Sequence, residues 1–327
     1  MVTRDRSGGD RLSRDEVGIL VSSAGLAPSM HNTQPWRVEV AGHVVDVLLD
    51  PDRALPVEDP AGRLVRIGLG AAAFNVRVAA AMLRYDTTFT TDPDPARPEI
   101  AVRLFLGERG DLPELAELYP EVRHRHTYRG PMLDQLPAQS VRDAIADAVR
   151  GEDATLVWLD ADARDRLLGI MLEADVLESH DPVRLDERSR WVGGERAHDG
   201  VPGSALGPRP QAAPAVHRDL AAGLEDANRP AVPFEAAPLV AVLTTVSDGP
   251  ADWLRAGLAL QRGLLTASSL DVAASFATQP LEYPETRRYI RELVARSGHP
   301  QMVIRLGYPA AAGGHAPRRP WPEIVQP

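Results

Sequence analysis

The chain has 327 residues, 44% of them hydrophobic, which is enough for a substantial core in one large domain or two ordinary ones. It contains no cysteine, so disulfides, thiolate catalysis, thiolate-held zinc and iron–sulfur clusters are excluded. A formal net charge of -10 argues against nucleic acid or an anionic membrane as partner, and because all 36 basic residues are Arg, Schiff-base and P-loop lysine chemistry are excluded too.

The N-terminus, MVTRDRSGGDRLSRDEV, is charged where a signal peptide would be apolar, and no run reads as a membrane span, so the expected location is the cytoplasm. Ser13 and Glu16 stand in capping-box spacing ahead of Val17, Leu20, Val21 and Ala24, which predicts a helix. The stretch APSMHNTQPW, residues 27–36, follows. Pro28 and Pro35 bar a helix there, so Ser29, Met30, His31, Asn32, Thr33 and Gln34 lie on a shaped loop. Its plainest reading is a turn whose Ser and Asn side chains bond their own backbone. A serine hydrolase built on Ser29 and His31 has no G-x-S-x-G elbow to support it.

Strands are predicted in WRVEVAGHVVDVLLD, EIAVRLFL, ATLVWLD, PLVAVLTTV and PQMVIRLGY. RIGLGAAAFNVRVAAAML from Arg66 and RAGLALQRGLLTASSL from Arg255 match each other as buried, small-residue-rich helices. Gly68, Gly70 and Ala73 have dinucleotide-fingerprint spacing, with Asp86 near the distance of the acidic partner, but no β-α-β unit surrounds them, so close helix packing is the simpler account. LPAQSVRDAIADAVRGE predicts a further helix with Val141, Ile145 and Val149 on one face.

RHRHTYRGP, residues 123–131, concentrates Arg123, Arg125 and Arg129 with His124 and His126 in an acidic protein. A metal held by the two His on one face of a strand would be repelled by the flanking guanidiniums, which leaves an anion site or a solvated basic loop. Arg318 and Arg319, between prolines after the last strand, could join Arg125 in a clamp on one phosphate. Residues 181–236 are rich in Pro, Gly, Asp and Arg and are long enough for a lid or an arm. Helices and strands mix without strict alternation, giving α+β with two related halves as the fold class.

Together these residues resemble the nitroreductase family of FMN-binding flavoproteins, in particular its two-domain, Acg-like branch. The loop A-P-S-x-x-N-x-Q-P-W is complete at Ala27 to Trp36, but the family's R-x-S-x-R segment does not precede it. Arg125, Thr127 and Arg129 supply that segment in the second half, with Thr for Ser, and no N-x-Q-P-W loop follows. The resemblance spans about Leu12 to Val325 and implies a fused pseudo-dimer. One half would be residues 1–120 and the other 121–327, with one FMN between them and residues 181–236 as a lid-like insertion.

It further implies that Pro28, Ser29, Met30, His31 and Asn32 border the flavin, while Gln34, Pro35 and Trp36 shape the loop. Arg125, Arg318 and Arg319 would serve the phosphate, Arg129 the pyrimidine edge, Thr127 would belong to the same FMN-binding segment, and Ala277 to Pro284 would lie beside the ring. His31 is the candidate proton donor. The implied function is NAD(P)H-dependent reduction of nitro or quinone-like acceptors, with FMN sequestration under a closed lid as the alternative. NADH or NADPH would be the reductant, a small molecule the partner, and the chain a monomer acting as an internal pseudo-dimer, further pairing being open.

Overall fold

Helix α1 (Arg14–Gly25) starts at the predicted capping box: the Ser13 side chain accepts the Glu16 backbone N–H, and the Glu16 carboxylate accepts that of Ser13. The computed structural model describes residues 11–326 except 111, 212–215, 217, 223, 225–228 and 295–296. The first ten residues of the charged N-terminus therefore lie outside the described residues.

A hairpin of β1 (Trp36–Ala41) and β2 (Val44–Leu49) leads to the long helix α2 (Arg63–Met82), then to β3 (Tyr85–Thr91) and β4 (Ile100–Arg109). Short helices α3 (Pro113–Ala116) and α4 (Tyr119–His124) carry the chain across to α5 (Gln139–Arg150), β5 (Thr155–Trp158), α6 (Ala161–Ser179) and α7 (Pro182–Ser189). After the two-residue strands β6 (Arg209–Pro210) and β7 (Ala231–Val232) come β8 (Leu239–Thr245), α8 (Pro250–Ser269), β9 (Ala273–Phe276), α9 (Pro284–Leu293), β10 (His299–Gly307) and β11 (Val325–Gln326).

Two larger sheets result, ordered β11-β1-β2-β4-β3 and β5-β8-β10-β9. The second has apolar layers on both faces, one including α5 and α8 residues and the other α6 and α9 residues, which is why β8 is buried at every position. The C-terminal strand returns to the first sheet, where Val325 pairs parallel with Val38 and Ile324 packs into that sheet's core. The fold is α+β, as expected.

Helices α2 and α8 cross at the centre. A Cβ on Gly70 would lie 2.1 Å from the Leu254 carbonyl oxygen, and one on Gly257 2.1 Å from that of Ile67, so only glycine permits the crossing. Alongside, Gln261 donates to Asn75 (2.7 Å) with both side chains fully buried. This contact accounts for Gly70 in the fingerprint-like spacing. Gly68 lies under the Pro28 carbonyl and the Trp36 ring.

One sequence expectation needs correction. Helix α2 is long and apolar enough to cross a membrane by length and composition, because its Ala and Gly residues are apolar without looking bulky. It is almost entirely buried inside the protein.

Candidate functional site

Three left-handed residues shape the loop after α1: His31 (φ 48°), Asn32 (φ 56°) and Gln34 (φ 52°). Such geometry persists in non-glycine residues only where the surroundings over-determine it. Here they do. Ser29 Oγ accepts the Gln34 N–H (2.9 Å), and Asn32 Nδ2 donates to the carbonyls of Gly200 and Pro317, each at 2.8 Å. Gln34 Nε2 donates to the His198 carbonyl (2.8 Å), and Gln34 Oε1 accepts the Arg319 N–H (2.9 Å). The loop is thus bolted to both the 198–200 stretch and the C-terminal tail, with Trp36 buried beneath it.

Above the α2–α8 crossing this loop borders an apolar cavity of ≈ 110 Å³. Leu64, Ile67 and Gly68 of α2, Leu260 of α8, Phe276 of β9 and Met302 of β10 contribute walls, with Met30 and His31 from the loop. Arg218 and Leu220 complete it. Of the stretch Ala277 to Pro284, Thr278 and Glu282 reach the cavity.

A second, basic cavity of ≈ 70 Å³ shares Pro28, Ser29, Thr127 and Arg129 with the first. Extended backbone puts alternate residues on one side, and Arg125, Thr127 and Arg129 all line this cavity while the chain bridges to Ala274 between them. Arg318 reaches it from the tail, with Arg123, Asn32, His126 and His315 nearby. The guanidiniums lean on neutral oxygens: Arg125 on the Leu26 carbonyl (3.2 Å), Arg129 on that of Ala205 (3.2 Å), and Arg318 on Asn32 Oδ1 (2.7 Å).

Among the described residues, no carboxylate lies within ion-pair distance of Arg125, Arg129 or Arg318. Burial, then the neighbouring guanidinium, pulls Arg125 and Arg129 down to about 10 and Arg318 to about 9. Uncompensated charge is costly in such a place, and an anion is the guest whose charge would offset it.

A third cluster lies behind His31. Its Nε2 pairs with Glu58, and both side chains are buried. Arg218 joins three carboxylates: Glu282 (2.7 Å), Glu178 (2.6 Å) and Glu58 (3.6 Å). Arg184 adds a 2.7 Å contact to Glu282, and Arg188 a 2.5 Å contact to Glu178. Burial pushes Glu58 up, but His31, Arg218 and Arg188 outweigh it and hold the carboxyl at about 2. Glu58, Glu178 and Glu282 have metal-like proximity, yet the Arg218 guanidinium already sits among them as their cation.

Of the residues expected from sequence, Pro28, Ser29, Met30, His31, Asn32, Arg125, Thr127, Arg129 and Arg318 line one or both cavities. Arg319 does not. It turns to the Glu323 carbonyl (2.6 Å), the Trp36 carbonyl (3.4 Å) and Asp50 (3.9 Å), holding the tail to the loop. Ser29 and His31 form no nucleophile–base pair, since each is engaged elsewhere. His124 ends α4, so it shares no strand face with His126, whose ring lies 4.0 Å from that of His315. Glu58 and Arg218 carry no local sequence signal and escape a reading of motifs.

No family model matches the chain. It is similar to a Mycobacterium tuberculosis protein named as a candidate NAD(P)H nitroreductase, 29% identical over 317 residues, covering 95% of this chain and 90% of that one. It is also similar to the acg protein of the same organism, named likewise, 26% identical and covering 96% of each chain. Among solved structures it is similar to the FMN-dependent nitroreductase NfnB of Mycobacterium smegmatis in complex with NADPH, with TM-score 0.39 and 15% identity over 60% of this chain and 89% of that one. A Bacteroides fragilis nitroreductase with bound FMN gives TM-score 0.37 and 15% identity over 61% and 93%. The resemblance first carried by the loop and the arginine segment thus extends over nearly the whole chain. The chain is an α+β protein similar over nearly its whole length to proteins named as candidate NAD(P)H nitroreductases, the acg protein among them.

Proposed function

We propose that the two joined cavities hold one FMN per chain and that the protein is an NAD(P)H-dependent oxidoreductase of the nitroreductase type. The observation that carries this reading is the buried set Arg125, Arg129 and Arg318, which has cationic donors and, among the described residues, no carboxylate within ion-pair distance, set against an apolar compartment with which it shares a wall. A phosphate on a planar, largely apolar ring system is the ligand type such a pair fits. When bound, FMN supplies acceptance of hydride from a nicotinamide and its passage to a nitro or quinone-like acceptor.

The chain's own residues divide the work. Arg125 and Arg318 neutralise the phosphate, and Arg129, at the wall common to both cavities, serves the pyrimidine edge. Leu64, Ile67, Leu260 and Met302 exclude water. His31 with Glu58 holds a proton at the cavity wall. In this reading residues 1–120 and 121–327 are the two halves of a monomeric pseudo-dimer. Asn32 and Arg318, hydrogen-bonded to each other, come from opposite halves, and residues 181–236 act as the lid.

A second reading has its own support. Arg218 and Leu220 roof the apolar cavity, and Arg218 is anchored to buried carboxylates, an arrangement suited to FMN sequestered under a closed cover. Anaerobic mixing with NADH or NADPH, beside dithionite reduction, separates the two. Bleaching by a nicotinamide is the expected result, and bleaching by dithionite alone would establish sequestration instead. Recovery of nicotinamide reduction after deletion of residues 190–215 would identify the cover as the cause.

A further inference from the structure

A cleft of ≈ 440 Å³ lies on the far side of Leu64 and Glu282 from the apolar cavity. Arg63, the first residue of α2, and Pro284, the first of α9, both line it, so two helices direct their positive ends toward it. Arg287, Arg288 and Arg291 of α9 and His299 of β10 add cationic side chains. Four carboxylates, Glu58, Asp59, Asp248 and Glu282, also line the cleft, and each is already engaged. Asp248 accepts from Trp253 (2.8 Å), Arg287 (2.9 Å) and Gln301 (3.1 Å), while Glu58 and Glu282 belong to the Arg218 cluster. Asp59 accepts the Val65 N–H (2.9 Å).

Arg63 is the telling residue. It is 5% exposed, its guanidinium rests on the carbonyls of Gln301 (2.5 Å) and Leu281 (3.4 Å), and among the described residues no carboxylate comes within ion-pair distance. Arg288 and Arg291 are exposed and likewise without a carboxylate partner among the described residues. Arg63 is thus buried without an ion pair, as Arg125, Arg129 and Arg318 are, although Asp59, Glu282 and Asp248 attract it from a distance.

We propose that this cleft binds a small phosphate ester, its phosphate held between Arg63 and the Arg288 and Arg291 side chains and its organic part beside Trp253. Several guanidiniums around one concavity suit a tetrahedral dianion better than a monoanion. The cleft is far larger than a phosphate alone requires, and Trp253, Pro60 and Pro300 give the remainder apolar walls. The site is independent of the flavin reading.

The test is calorimetric titration of the full chain with phenyl phosphate, with tryptophan emission followed in parallel and benzoate as the monoanionic control. Saturable binding of phenyl phosphate to the FMN-saturated chain is expected, at least tenfold weaker for Arg288→Ala/Arg291→Ala. Its emission change should vanish in Trp253→Phe, and benzoate should bind at least tenfold more weakly. Absence of saturable binding, an emission change that survives Trp253→Phe, or equal binding of benzoate would each overturn the proposal.

Discussion

Two buried groups of arginines, one reaching the apolar cavity through Arg218 and the other lining the basic cavity, differ in their partners. Arg184, Arg188 and Arg218 each meet a carboxylate at 2.5 to 2.7 Å, whereas Arg125, Arg129 and Arg318 meet none among the described residues. The electrostatic consequence has opposite signs. Despite burial, Glu282, Glu178 and Glu58 raise Arg218 above the usual guanidinium range, while burial and mutual repulsion lower Arg125, Arg129 and Arg318. A paired buried charge belongs to the structure, and removing one partner leaves the other stranded. An unpaired one is a standing cost that a ligand of opposite sign relieves.

The largest expected effect follows from the unpaired group. Arg125→Ala/Arg318→Ala removes two charge-assisted contacts of about 1.5 to 3 kcal/mol each, so FMN affinity should fall by about two to four orders of magnitude. Reconstitution followed by flavin fluorescence measures this. The thermal midpoint of the flavin-free variant should not fall, because the change removes uncompensated charge. Unchanged flavin content would remove the phosphate assignment, and a large drop in the flavin-free midpoint would mean that these arginines are structural after all.

Next in size is the paired group. Arg218→Met keeps the bulk of the side chain but leaves Glu178 and Glu282 sharing fewer cations, and breaking a buried pair in this way costs about 3 to 5 kcal/mol. Urea unfolding should register it. A loss below about 1 kcal/mol would show that the cluster behaves like a solvated surface network and that the contrast with Arg318 is false.

The two groups also differed in how far the sequence disclosed them. Arg125, Thr127 and Arg129 lie at alternate positions of one short segment, and the loop from Ala27 to Trp36 is continuous, so the family resemblance carried by these two motifs brought out the polar wall of the site. The paired cluster draws Glu58, Glu178, Arg218 and Glu282 from four distant stretches, and each looks like an ordinary surface charge until the fold assembles them. Arg319 fails for a local reason. Neighbouring side chains on backbone held extended by prolines point to opposite sides, so Arg318 reaches the basic cavity while Arg319 grips Asp50 and the Trp36 carbonyl. The predicted α+β class and the buried helices α2 and α8 were legible from small, apolar residues. The return of β11 to the first sheet was not, because a two-residue strand has no periodicity to read.

A smaller, half-exposed pair tests whether the contrast is graded by burial. Asp248 and Arg287 lie 2.9 Å apart at the edge of the phosphate-ester cleft, each with roughly a quarter of its side chain in solvent. Burial pushes the Asp248 carboxyl up, but the hydrogen bonds from Trp253, Gln301 and Arg287 outweigh it and hold the group at about 2, below its ordinary 3.8. A carboxyl depressed in the folded state binds its proton more readily in the unfolded chain. Its contribution is therefore complete above about pH 4 and is lost as pH falls through about 2. With solvent screening discounted, that contribution is about 1 kcal/mol, well below the Arg218 cluster. Urea unfolding of Asp248→Asn should show a curve that sits lower by about this amount near neutrality and converges with the parent toward pH 2. A constant offset at every pH would assign the stabilisation to hydrogen-bond geometry rather than to charge. Pairing and burial would then contribute separately, and the comparison of the two arginine groups would have to be drawn on burial alone.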